Sequence, residues 1–155
     1  MKLRKKVDIL LIYMDDCCYN RPYDDQSQIK IHLETQAKLE IQENIRAGKL
    51  KLATSYILEA ENASNPFSTK RDDIQNFINA YTEVFIEENN DKIIREMAKS
   101  IMNTGIKFMD ACHIACAVLA KCDAFLTTDK RVLKYTSKSI LVTNPATFLV
   151  EGSEM

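Results

Sequence analysis

The sequence predicts an α/β fold: a three-layer sandwich with a central parallel sheet of about four to five strands flanked by helices. Three observations predict it. Short, continuously apolar runs alternate with segments of helical period, the pattern of strands covered on both faces. Gly and Pro number only three each in 155 residues, too few for a turn-rich all-β chain. A hydrophobic share of 46% with 28% charged residues marks an ordinary globular core, and the length suits a single domain spanning residues 1–155.

The elements follow in order. Residues 7–14 read as a buried strand, ended by Asp15-Asp16. Residues 26–47 read as a helix, with Ile29, Leu33, Ala37, Ile41 and Ile45 spaced four apart and Gly48 as the stop. Residues 50–54 form a second strand, and residues 55–62 a short helix carrying Glu59 and Glu61. After Asn65-Pro66, Thr69 and Asp72 resemble a capping box for a helix through Tyr81. Residues 84–86 suggest a small third strand, and residues 91–103 a helix stopped by Gly105. A nearly all-apolar helix runs from Asp110 to Ala120. Strand 124–127, helix 130–135 and strand 140–143 follow, and Asn144-Pro145 opens a last helix.

Four acids stand where a folded domain rarely puts charge. Asp15 ends the first apolar run, Glu61 shares a helix face with Ile57 and Leu58, Asp110 opens the apolar helix, and Asp129 follows Phe125-Leu126-Thr127-Thr128. Buried unpaired carboxylates cost several kcal/mol each, roughly, and converging ones raise one another's pKa values. A hard divalent cation relieves both penalties, and carboxylates suit Mg²⁺ or Mn²⁺. Asp15 and Asp129 also lie at carboxyl ends of strands, where open α/β sheets place their crevice. Asp16 reads as a neighbour that points away or stays solvated, and Glu59 as one that points elsewhere. His113, one turn after Asp110, reads as a core histidine or a support behind the ligands, and His32 as a surface residue.

Five cysteines, an odd number, argue against a disulfide framework. Residues 7–14 are too short for a membrane span or a signal core. The expectation is a reduced, cytoplasmic protein with no membrane partner. Cys112, His113 and Cys116 fall within five residues, but without a Cys-x-x-Cys pair they read as core rather than a zinc site. Basic residues cluster at positions 2–6, at Lys70-Arg71 and along Lys130, Arg131, Lys134 and Lys138.

The blocks Ile12-Tyr13-Met14-Asp15, the Ser-led helix ending in Glu61, Phe108-Met109-Asp110-Ala111-Cys112-His113-Ile114-Ala115-Cys116-Ala117 and Phe125-Leu126-Thr127-Thr128-Asp129-Lys130 together resemble the PIN-domain nuclease family. The resemblance spans nearly the whole chain, and its last two blocks are the more specific. It implies a metal-dependent ribonuclease in which Asp15, Glu61, Asp110 and Asp129 hold Mg²⁺ or Mn²⁺ and RNA is the substrate. It also implies a homodimer and, as in VapC-like toxins, a cognate antitoxin protein as partner. Arg21, Lys130 and Arg131 lie close to the acids in sequence and are candidates to hold the RNA backbone. The chain departs from the family in two ways. Asp16-Cys17 stands where Thr-Asn is common, and a polar block follows at residues 17–25. Both departures bear on substrate choice.

Two rival readings come from other classes. One is a catalytically silent PIN-like module that binds RNA or protein. The other is a receiver-like phospho-signalling domain, suggested by Asp15-Asp16. The receiver lacks its phosphorylatable Asp after residues 50–53 and has Asp129 late in the chain.

Overall fold

In the computed structural model, which describes residues 9–152, five parallel strands form one sheet in the order β3-β2-β1-β4-β5. The strands are β1 (Leu11–Met14), β2 (Lys51–Ser55), β3 (Thr82–Ile86), β4 (Ala124–Leu126) and β5 (Leu141–Thr143). The predicted α/β sandwich and its parallel sheet are what the chain adopts. A receiver-like sheet runs 2-1-3-4-5, so the strand order rules that reading out. Val7, Asp8 and the basic cluster at positions 2–6 lie outside the described residues.

Side chains leave a strand on alternate faces, and each face builds one core. Tyr13, Ala53 and Phe125 point to one side, where α5 (Asp91–Met102) and α6 (Phe108–Leu119) cover them. Ile12, Met14, Leu52, Ala124 and Leu126 point to the other. There α2 (Ile29–Arg46), α4 (Ser68–Tyr81) and α8 (Pro145–Gly152) complete the third layer. Cys112 and Cys116 are buried among the apolar side chains of the first core, as small hydrophobes.

Local chemistry sets the boundaries. Ser55 caps α3 (Tyr56–Ala63), its hydroxyl oxygen accepting from the Leu58 N–H at 3.1 Å. Asn144 caps α8 by accepting from the Thr147 N–H at 2.8 Å. Gly48 takes φ +76° after α2, a left-handed turn that glycine adopts at little cost.

Two local expectations are corrected. The capping box at Thr69 and Asp72 does not form. Helix α4 already begins at Ser68, which puts Thr69 inside the first turn, and the Phe67 N–H is held instead by Asn65 Oδ1 at 3.0 Å. The polar block after Asp15 folds into α1 (Asp16–Asn20) and a 3-10 turn at Arg21–Tyr23. That turn changes α2. Ile29 and Leu33 are exposed (77% and 56%), while Glu34 and Thr35 are buried. The first two turns of α2 pack on the Arg21 segment rather than on the sheet. There Arg21 Nε donates to Glu34 at 2.8 Å and the Thr35 hydroxyl donates to the Arg21 carbonyl at 3.1 Å.

Candidate metal and catalytic site

The strand order reverses between β1 and β4, and open α/β sheets form their crevice at such a switch point. The Asp15 N–H donates to the Leu126 carbonyl at 3.1 Å, which fixes the end of β1 against the end of β4. Asp15 itself is only 6% exposed. One carboxylate oxygen accepts from the Thr127 hydroxyl at 2.6 Å. The other accepts from the Cys17 thiol at 2.7 Å and caps α1 through the Cys18 N–H at 3.4 Å. Burial pushes the Asp15 carboxyl well above the usual carboxylate range, the Cys17 sulfur adds to this, and Thr127 opposes it. Thr128 holds the same sulfur through its N–H at 3.3 Å and its hydroxyl at 3.0 Å.

Asp16 does not point away, contrary to the sequence reading. As the first residue of α1 it turns into the crevice, where one of its oxygens is buried with no partner among the described residues. Burial raises its carboxyl to about 6, with the charge of Glu61 adding and His113 opposing. Glu59 does turn aside, accepting from Gln75 at 3.3 Å.

Glu61 lies in the second turn of α3 with its side chain 34% exposed, and one oxygen meets His113 Nε2 at 2.9 Å. His113 is 2% exposed. Its Nδ1 meets the Tyr13 hydroxyl at 2.7 Å, and that hydroxyl meets Ser55 Oγ at 2.7 Å. With the imidazole neutral and Glu61 ionised, one proton arrangement satisfies every member. Nε2–H donates to Glu61, Tyr13 donates to Nδ1, and Ser55 donates to Tyr13 while accepting from the Leu58 N–H. A buried chain thus anchors Glu61 to the second strand's end.

Asp110 sits half-buried in the first turn of α6. Burial raises its carboxyl above the usual range, followed by the charge of Asp129, with Cys17 and Glu61 adding and His113 opposing. Asp129 is exposed and caps α7 (Lys130–Leu133), its Oδ1 accepting from the Arg131 N–H at 2.8 Å. Its own N–H donates to Thr127 Oγ1 at 3.1 Å.

All four predicted acids thus border the same crevice, joined by Asp16 and Cys17. They do not form a closed cage. Among the described residues no three of the acids bring oxygens within 4.8 Å of one another; the group that close is Asp15, Cys17 and Cys18. Like charges in a partly dry crevice keep apart. Cys18 is spoken for, its thiol donating to the Leu126 carbonyl at 3.4 Å. Arg21, expected near the substrate, is instead paired with Asp24 and Glu34 at 2.6 and 2.8 Å, while Lys130 and Arg131 are exposed beside Asp129. The sequence reading missed Asp16, Cys17 and Tyr13. A helix start directly after Asp15 brings the side chains of Asp16 and Cys17 to the strand end, whereas the Tyr13 contact with His113 has no local sign in the sequence. Beside Glu61 opens a groove of about 340 Å³ walled by Tyr56, Phe108 and Met109.

No protein-family model matches this sequence, and no curated protein matches it. Among solved structures, the chain is similar to a chain in the crystal structure of VapBC2 from Rickettsia felis bound to a DNA fragment from their promoter. The TM-score is 0.53 at 10% sequence identity, covering 87% of this chain and 98% of that one. At so low an identity the likeness is one of fold. The α/β sandwich is therefore PIN-like in architecture.

Proposed function

We propose that the protein is a metal-dependent endoribonuclease that hydrolyses RNA phosphodiester bonds, with Mg²⁺ or Mn²⁺ held by Asp15, Glu61, Asp110 and Asp129. The observation that carries this is the gathering of these acids, with Asp16, at the single point where the sheet order reverses. The fit to a hard cation rests on the donor set and on the orphaned, buried Asp16 oxygen. When bound, such a cation supplies charge neutralisation and Lewis acidity at the phosphate.

The chain's own residues supply the rest. Thr127 and Cys17 fix both oxygens of Asp15, and such outer contacts orient a ligand. His113 holds one Glu61 oxygen; among the described residues the other has no partner, and it would either hold the cation or accept a hydrogen bond from the attacking water and, in hydrolysis, its proton. Lys130 and Arg131, exposed beside Asp129, would meet the RNA backbone. Purified protein with Mn²⁺ is expected to cleave single-stranded RNA, and EDTA to stop it. Binding without cleavage of any RNA pool would favour the silent module instead.

The motif resemblance to VapC-like toxins, with the fold likeness to a chain of VapBC2, supports a toxin role and an antitoxin partner. Among the described residues no helix is long and apolar enough to cross a membrane, and all five cysteines are free. We place the protein in the cytoplasm on the composition and the resemblance. Exposed Ile29 and Leu33 offer α2 as the surface for a homodimer, expected by light scattering at micromolar concentration. A monomer across that range removes the dimer and leaves the nuclease proposal untouched.

A further inference from the structure

Lys38, in the middle of α2, is a buried cation without an anion. It is 5% exposed. Among the described residues its ammonium has no ion pair or hydrogen bond, only the Tyr19 ring 5.8 Å from its centroid. Burial pulls the ammonium down to about 8, with Arg46 adding and Cys18 opposing. The Lys38 stem is buried while its ammonium opens onto a groove, and a partly desolvated charge of this kind gains from a counter-ion. The way in is open, because Lys38 lines a groove of about 450 Å³ between α2 and α4.

The groove walls alternate cations with rings. Arg46, two turns along the same face of α2, stands 5.2 Å from the Phe77 centroid and 5.9 Å from that of Tyr81. Tyr23 forms the upper wall. Beyond it Lys70 lies 5.5 Å from the Tyr23 ring and 4.5 Å from Phe67. Phe67, Tyr23 and Tyr81 are 61%, 39% and 36% exposed, so each ring keeps surface open to solvent beside its cation. Two acids temper the field. Asp73 lines the groove and accepts from the Tyr23 hydroxyl at 3.2 Å, and Glu43 pairs with Arg46 at 2.9 Å. Neither meets Lys38.

Hydrogen bonds link the segments that flank the upper end of this track to those that flank the crevice. Asn65, two residues before Phe67, donates to Asn20 at 3.4 Å, and Asn20 closes the helix that Asp16 opens. Asn62, next to Glu61, donates to the Arg71 carbonyl at 2.9 Å.

We propose that the α2–α4 groove is a track for the single-stranded RNA flanking the cleaved bond, with phosphates at Lys38 and Arg46 and bases stacked on Tyr23 and Tyr81. This rests on the ribonuclease reading of the acid crevice. Alternating cations and aromatic faces are the chemistry of single-strand tracks, and a duplex hides the base faces that the rings would take. An acidic peptide would satisfy Lys38 but would leave the rings unused.

The test uses the full chain carrying Asp110→Asn, so that bound RNA is not turned over. Fluorescence anisotropy compares a labelled single strand of about 16 nucleotides with one of about 4. The longer strand is expected to bind at least about 10-fold tighter, and Lys38→Gln with Arg46→Gln to remove that advantage. The salt dependence should also weaken by about 0.7 for each lost phosphate contact. Arg46→Gln alone, at an exposed position, carries the test if Lys38→Gln perturbs folding, and Tyr81→Leu should weaken the long strand alone. If both strands bind equally, or the charge variants bind like the parent while wild type still cleaves RNA, the track is refuted and the nuclease stands. If RNA is neither bound nor cut, both readings fall. If a polyglutamate peptide occupies the groove in place of RNA, the track is likewise overturned.

Discussion

Replacing Asp110 by Asn is expected to lower RNA cleavage by about 10²-fold or more, the scale of losing one electrostatic group at a reacting phosphate. The metal-free fold is expected to be as stable as wild type, or more so. Among the described residues Asp110 has no hydrogen-bonded partner to lose, and its carboxyl is raised by burial and then by Asp129. The pH dependence has a defined sign. Asp15, Asp16 and Asp110 all have folded pKa values above the unfolded ones, and that of Asp16 is about 6. The folded state thus binds more protons. Their stabilising contribution is full below the unfolded carboxylate pKa of about 4 and is lost as pH rises through the folded values. In EDTA the wild-type melting temperature should fall between about pH 4 and pH 7. Asp110→Asn should flatten that decline. At neutral pH, Mn²⁺ should raise the wild-type melting temperature and do little for the variant. Should Asp110→Asn melt far lower than wild type in EDTA yet keep its nuclease activity, Asp110 is a structural residue and the metal assignment fails.

The second large effect is expected at His113. Changing it to Leu keeps the bulk but breaks a buried chain at both ends, leaving the Tyr13 hydroxyl with Ser55 alone and Glu61 without its anchor. Interrupting a satisfied buried network costs about 2–4 kcal/mol. Tyr13→Phe, which removes one hydroxyl, should cost about 1–2 kcal/mol. Denaturant melts measure both. Cleavage should fall as well, because Glu61 is no longer held toward the crevice. In a Glu61→Gln background the further loss of activity on changing His113 should largely vanish, since the two act as a unit. A His113→Leu protein that melts like wild type would show that the chain stabilises nothing.

Much of this was legible in order along the chain. Each strand announced itself as an apolar run, and Ser55, Asn144, Gly48 and Gly105 marked helix ends through chemistry confined to a few neighbours. The four acids stood out for the same reason: charge at the edge of an apolar segment must be buried or face a crevice. Other features were illegible because their partners are remote in sequence. Asp15 is fixed by Thr127, 112 residues away, and Tyr13 meets His113 across 100. Nothing local to Asp16 says that it faces Glu61 and His113.

Helix α2 shows the division within one element. Its apolar spacing of four correctly gave a helix, and Ala37, Ile41 and Ile45 are buried as expected. Ile29 and Leu33 belong to the same stripe but face solvent, because the folded Arg21 segment, not the sheet, lies against the first turns. The same packing draws Glu34 inward to Arg21, and Lys38, one turn on, is buried beside the groove. The sequence by itself determined the element types, the sandwich and the positions of the acids, since periodicity and capping act over a few residues. Only the tertiary structure decided which charges share a crevice and which are left without a partner, because burial and Coulombic contact depend on what distant segments place alongside.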